Sequence, residues 1–227
     1  TKLDNIIAMV ALYRPGPMDT IPSYIKRMHG EEPITYRHEL LEPIMGEPYG
    51  FAIYQEQVMQ AAMKLAGYTA AEADMLRKVI SKKKEKELKK HHEKFVQGAV
   101  ERGIDKKTAD EIFVDWEGFA HYGFNKSHAA DYGVVSVQTA FLKTHYTIEY
   151  MTALLSQVKN ESDKVALYVA DCRALGIDVL PPDVNFSGWD FEIEDTAEGQ
   201  SVIRFGLGAV KNVGQNSIDL ITAARAD

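Results

Sequence analysis

Two apolar segments with helical spacing are joined by one short polar stretch, and that junction restricts the fold more than any other feature. Upstream, Ala109, Ile112, Phe113, Trp116, Phe119 and Ala120 recur every three or four residues, which predicts a helix with one buried face. Downstream, Ala130, Val134, Val137 and Phe141 repeat the pattern and predict a second buried face. Between them runs His121-Tyr122-Gly123-Phe124-Asn125-Lys126-Ser127-His128-Ala129-Ala130-Asp131-Tyr132. Gly123 can end the first helix, and Asn125 or Ser127 can cap the second. Lys126 and His128 then lie near the start of that second helix, where exposed N–H groups and the helix dipole favour an anion. Either this corner faces phosphate, or its polar residues are simply solvated.

A chain of 227 residues can bury a substantial core. No apolar run reaches membrane-spanning length, which predicts a soluble globular protein without a membrane partner. The start at Thr1, without methionine or a signal-peptide pattern, suggests a piece cut from a longer protein. The single cysteine, Cys172, excludes an intrachain disulfide and fits a reducing cytoplasm. It falls on an apolar stripe with Val165, Tyr168 or Val169, and Leu175, so core packing is its expected role. The net charge of −7 argues against nucleic acid, yet its distribution does not. Between Arg77 and Lys94, nine Lys or Arg stand against three Glu, a basic patch on an acidic body.

In chain order, Leu3 to Leu12 reads as a helix with Ile6, Ile7 and Val10 inward, stopped by Arg14-Pro15-Gly16-Pro17. That loop holds Arg14 stiffly, either for an anion or for water. A second helix runs from Ile21 to Met28 with Thr20 as its cap. The run Phe51 to Tyr54 leads into a helix from Gln55 to Leu65. Thr69-Ala70-Ala71-Glu72 matches a capping box and opens a helix through Ile80, on which Asp74 can pair with Lys78. Ser81 to Lys84 breaks the period, and a helix from Glu85 to Arg102 carries only a thin stripe of Leu88, His92, Phe95 and Ala99. Asp105 caps the helix leading to the junction. Further helices are expected up to Lys143, from Thr147 to Val158, and from Asn160 to Gly176. After the rigid Leu180-Pro181-Pro182, Phe191–Glu194 and Ser201–Phe205 alternate like paired strands. Last comes Gly206-Leu207-Gly208, then a helix with Ile218 and Ile221 inward. The reading is mostly α: a helical part over residues 1–178 and a β-hairpin-containing segment over 179–227.

The chemistry-bearing patterns are few. The lysine run can track phosphates through counterion release, or it is a solvated helix face. There is no His-x-x-x-His, no Cys-x-x-Cys, no nucleophile elbow and no Asp-x-Asp. Gly206, Gly208 and Gly214 can offer backbone N–H groups to a phosphate, or they punctuate a strand-to-helix passage.

Several blocks, taken in order, carry a family resemblance. They are Ala11-Leu12-Tyr13-Arg14-Pro15-Gly16-Pro17-Met18, Tyr54-Gln55-Glu56-Gln57-Val58-Met59, Ala66-Gly67-Tyr68-Thr69, Ser81-Lys82-Lys83-Lys84 and Tyr122-Gly123-Phe124-Asn125-Lys126-Ser127-His128-Ala129-Ala130. Leu180-Pro181-Pro182-Asp183-Val184-Asn185 and Phe205-Gly206-Leu207-Gly208-Ala209-Val210-Lys211 continue the series. Together they resemble the bacterial replicative DNA polymerase III alpha-subunit family (the C family) over essentially the whole chain.

The resemblance implies a multi-helix fingers domain that approaches incoming deoxynucleoside triphosphate and primer-template DNA. It implies a DNA-directed DNA polymerase, a nucleotidyltransferase, in the full-length protein. The palm with its metal-binding aspartates is expected before Thr1. Mg2+ is therefore expected outside this segment, which alone should be inactive. Other replicase subunits are implied partners through the full-length protein, and the cytoplasm is the implied location. Nucleotide or phosphate binding maps to Arg77, Lys78, Lys82, Lys84, Asn125, Lys126 and His128. DNA binding maps to Arg14, Lys83, Lys86, Lys89 and Lys90. The family's helix-hairpin-helix segment is expected to begin near or beyond the C-terminus. Val210-Lys211-Asn212-Val213-Gly214 resembles its hairpin, with Asn212 in place of the usual first glycine. The rival reading is a noncatalytic nucleic-acid-binding or protein-interaction module built on the same basic helix.

Overall fold

Local signals for helix starts and stops set most of the element boundaries. A computed structural model describes residues 2–82, 84–119 and 123–225, with Glu85 and Phe119 described by backbone only. Lys83, Ala120, His121 and Tyr122, which the sequence reading used, lie outside the described residues. The helices are α1 (Leu3–Leu12), α2 (Ile21–Met28), α3 (Glu42–Met45), α4 (Gln55–Ala66), α5 (Ala70–Ser81), α6 (Glu85–Val100), α7 (Lys106–Phe119), α8 (Lys126–His145), α9 (Thr147–Gln157) and α10 (Ser162–Ala174). Strands β1 (Val179–Leu180), β2 (Glu192–Asp195) and β3 (Ser201–Arg204) follow, then α11 (Gln215–Ala224). The protein is mostly α with a small sheet near its C-terminal end. Two compact units are present, Thr1–Val137 and Gln138–Asp227, and the backbone of α8 runs through the boundary.

In the first unit, α4, α5, α6 and α7 enclose one core. Val58, Ala61, Ala62 and Leu65 from α4 meet Ala73, Leu76 and Ile80 from α5, Phe95 and Ala99 from α6, and Ala109, Ile112, Phe113 and Trp116 from α7. The rings of Phe95 and Trp116 pack edge to face at 4.7 Å. The expected capping box at α5 is formed: Glu72 N–H donates to Thr69 Oγ1 at 3.3 Å, and Thr69 N–H donates to Glu72 Oε2 at 2.9 Å. Glu72 also receives Lys94 of α6 at 2.5 Å. That bond, with the Thr69 donors, holds its carboxyl down at about 2. The expected Asp74–Lys78 pair is also present at 2.7 Å.

A second cluster joins Ile7, Ala8, Ala11 and Leu12 of α1 to Tyr24, Ile53, Tyr54 and Ala129. Ile6 and Val10 are only half-buried, so α1 turns its Ile7–Ala11 side inward. Thr20 does not cap α2; its hydroxyl donates to Pro17 O at 2.7 Å instead. The reason is that a 3₁₀ turn over Pro17–Thr20 runs straight into α2, leaving no extended cap residue.

The expected buried face of α8 needs correcting. Ala129 and Gly133 are buried, whereas Val134, Val137 and Phe141 are exposed, the last at 54%. A Cβ on Gly133 would lie 2.7 Å from Ile7 Cγ1, so α8 approaches α1 through a face that admits only small side chains. The bulkier stripe, one residue further round, is left outside.

In the second unit, Met151 and Leu155 of α9 and Val165 and Cys172 of α10 pack with Ile177, Phe191 and Ile203. Cys172 is a core residue as expected, and burial pushes its thiol pKa up. Leu175 is exposed, however, and Ile177 takes the place foreseen for it. The predicted hairpin is β2 antiparallel to β3, and β1 adds to β3 in parallel, giving the order β1-β3-β2. Only the hairpin had a pattern long enough to read.

Candidate functional site

Residues 51–54 reach α4 as extended chain because one buried side chain holds the backbone there. Gln57 Oε1 accepts from Ile53 N–H at 2.7 Å and Tyr54 N–H at 2.8 Å, while its Nε2 donates to Phe51 O and Ile44 O. All its hydrogen-bonding capacity is used, as burial requires. The extended Ile53–Tyr54 then pairs with the junction. Phe124 N–H donates to Ile53 O at 3.1 Å, Gln55 N–H donates to Phe124 O at 2.9 Å, and Tyr54 and Phe124 form a parallel bridge.

On this frame several N–H groups at the start of α8 are engaged. Asn125 is its cap, accepting His128 N–H at 2.8 Å. Glu56 accepts from Asn125 Nδ2 at 2.7 Å and from Lys126 N–H at 3.0 Å. The anion that the helix N-terminus favours is therefore the Glu56 carboxylate, and these two N–H groups are already donated. Lys126 Nζ pairs with Glu47 at 2.7 Å and lies 5.3 Å from the Tyr54 ring centroid. His128 stacks on Phe124 and meets Tyr132 edge-on, and the Arg14 guanidinium lies 4.8 Å from the centroid of the same Phe124 ring. Partial burial lowers the Arg14 pKa from its ordinary value.

Arg77, near the end of α5, reaches the same place. Its Nε and Nη2 donate to Asp74 Oδ1 at 2.9 and 2.7 Å, and its Nη1 donates to Gln55 Oε1 at 3.2 Å. Gln55 Nε2 in turn donates to Gly123 O at 3.0 Å. The fold thus brings Arg77 and Lys78 into one frame with Asn125 and Lys126, residues separated by about fifty positions in sequence. Lys84 pairs with Glu87 at 2.9 Å, and Lys82, Lys86, Lys89 and Lys90 are exposed. The last three lie on α6 away from its buried Phe95 and Ala99.

Gln55, Glu56 and Glu47 were missed as site residues. The signal was Tyr54-Gln55-Glu56-Gln57, four polar-tipped residues at a helix start directly after an apolar run. These carboxylates and Asp74 are spent on cations and N–H groups. Among the described residues no group of three or more His, Cys, Asp and Glu could hold a metal ion.

The glycine-rich stretch has a structural explanation. Leu207 N–H donates to Gly188 O, Gly208 N–H donates to Trp189 O, and a Cβ on Gly208 would meet Trp189 O at 2.7 Å. The Gly208 N–H is thus not available to a phosphate, and close packing on Trp189 requires the glycine. Asn212 has φ 67°, the left-handed conformation that the hairpin glycine ordinarily supplies and that Asn tolerates.

Residues 1–103 match the family model described as bacterial DNA polymerase III alpha subunit finger domain. Residues 176–227 match a helix-hairpin-helix motif, which begins earlier than expected and includes residues 210–214. The DNA polymerase III subunit alpha of Thermus aquaticus is 52% identical over 229 residues, covering 99% of this chain and 18% of the relative. That of Neisseria meningitidis serogroup B is 49% identical over 225 residues, covering 99% and 19%. That of Aquifex aeolicus is 44% identical over 226 residues, covering 99% and 19%. The chain spans less than a fifth of the length of these relatives.

Proposed function

The chain is a segment of the bacterial DNA polymerase III alpha-subunit family, and on that premise we propose that it forms the fingers of a template-directed DNA polymerase. Residues 1–178 would be the fingers core and 179–227 a second segment carrying the helix-hairpin-helix. The corner binds incoming deoxynucleoside triphosphate, with Arg77, Lys78, Lys82, Lys84, Asn125, Lys126 and His128 around the phosphates. Arg14, Lys83, Lys86, Lys89 and Lys90 meet the backbone of primer-template DNA. Catalytic Mg2+, other replicase subunits and a cytoplasmic setting belong to the full-length protein.

One observation carries this reading: Arg77 and Lys126 share a frame, each paired with a partly exposed carboxylate. Ion pairs of that exposure contribute little, so phosphate oxygens can displace Asp74 and Glu47 at small cost. A guanidinium then meets phosphate through two parallel N–H donors. Fixed cations at the phosphates favour the charge that builds on the departing pyrophosphate. The side chains bind and orient the triphosphate; the nucleophile and its activation belong elsewhere in the enzyme.

The test is Arg77→Ala in the full-length alpha subunit. Loss of a positioned charge-assisted contact should lower kcat/KM for nucleotide incorporation roughly 30- to 1,000-fold. Near-normal kcat/KM, with circular dichroism unchanged, overturns the assignment.

A further inference from the structure

Gln55 is half-buried at the first position of α4 and bonds to both α5 and the junction that leads into α8. Its backbone N–H donates to Phe124 O at 2.9 Å. Its side-chain Nε2 donates to Gly123 O at 3.0 Å and to Ser81 Oγ at 3.4 Å, and its Oε1 accepts from Arg77 Nη1 at 3.2 Å. A carbonyl only accepts and a guanidinium only donates, so these two partners fix which way the amide points. Reversing it would lose both bonds.

The chemistry explains why an amide stands here. Glutamate would accept from Arg77 but turn lone pairs on Gly123 O. Methionine has the length but neither function, and asparagine is a methylene shorter. A neutral acceptor also holds Arg77 without cancelling its charge, whereas Asp74, bound to the same guanidinium, does cancel it. When an anion displaces Asp74, Gln55 can stay in place.

We propose that Gln55 is a positioning residue of the nucleotide site. One amide clasps the α5 arginine and the backbone of the junction, setting Arg77 relative to the start of α8 that carries Lys126. The inference rests on reading this corner as the nucleotide site.

The experiment is single-nucleotide incorporation by the full-length alpha subunit carrying Gln55→Met, Arg77→Ala, or both. Gln55→Met should raise the nucleotide KM by about tenfold, with a smaller change in kcat. In the Arg77→Ala background the same change should alter KM by less than about twofold, because its partner is gone. A merely structural role would not give this pattern, since partial unfolding lowers apparent kcat but not the KM of the folded fraction. Gln55→Glu supplies a second variant: it loses the donor and adds a carboxylate that competes with phosphate for Arg77, so its KM should rise at least as far. A wild-type KM for both Gln55 variants, or equal effects of Gln55→Met with and without Arg77, overturns the role of Gln55 and leaves Arg77 assigned. Unchanged kinetics for Arg77→Ala overturn the nucleotide-site reading and the Gln55 inference together.

Discussion

The corner at the start of α8 and the exposed face of α6 are both rich in cations, yet they are built in opposite ways. At the corner each of Arg77, Lys78 and Lys126 is held by a carboxylate, and Arg77 by a second acceptor besides. Along α6, Lys86, Lys89 and Lys90 project from a helix whose buried stripe is narrow. Holding a long side chain in one geometry removes rotamer freedom before a ligand arrives, so less is lost on binding. A mobile lysine instead raises local positive potential, which attracts a polyanion without orienting it. Clustered charge therefore says little about role until the partners of each charge are known.

The contrast is broken most sharply by comparing Lys126→Ala with Lys89→Ala in full-length incorporation assays. Losing Lys126 should lower kcat/KM by about 10- to 100-fold, as for a charged hydrogen bond made to the reacting nucleotide. Losing Lys89 should cost well under about 1 kcal/mol and appear mainly as a shallower salt dependence of DNA affinity, by about one in slope. Equal kinetic losses would erase the distinction between the two regions.

A smaller effect is expected from Asn125→Ala, which removes the α8 cap and the donor to Glu56. Urea denaturation should show a loss of about 1–2 kcal/mol. An unchanged midpoint would mean that α8 starts without its cap and that the corner is less rigid than its hydrogen bonds imply.

The smallest effect should come from Glu72, which ties the start of α5 to α6. Its folded carboxyl lies at about 2, below the ordinary range near 4.3. A depressed carboxyl contributes stability above its unfolded pKa, and that contribution disappears as pH falls through the folded value. The Tm difference between wild type and Glu72→Gln should hold above about pH 5 and shrink from about pH 4.3 toward pH 2. A difference constant over that window would show that the Lys94 pair does not contribute as an ion pair.

Much of the helical order was legible because its causes are local. The capping box at Thr69 and Glu72, the Asp105 cap and the Pro15–Pro17 stop act over a few residues, and each stands where the pattern placed it. The β2–β3 hairpin was readable for the same reason, its strands being separated by one short turn. At the site, Arg77, Asn125 and Lys126 could be singled out by residue type and spacing, but their surroundings could not. Thr20 failed as a cap because a preceding 3₁₀ turn took over the position, a matter of backbone path rather than composition.

By itself the amino-acid sequence determined roughly where most helices begin and end, that one segment is strongly basic, and which family the chain resembles. Only the tertiary structure decided which side of α8 faces inward. Apolar residues occupy more than one face of that helix, and the close approach of Ile7 selects Ala129 and Gly133 over Val134 and Val137. It also decided that Gln55 meets Gly123 and Arg77. That amide joins groups 68 and 22 residues away, and periodicity carries no information about such a pairing. The bond exists because the packed helices bring its partners within 3.2 Å, a distance set by the whole core rather than by any local run of residues.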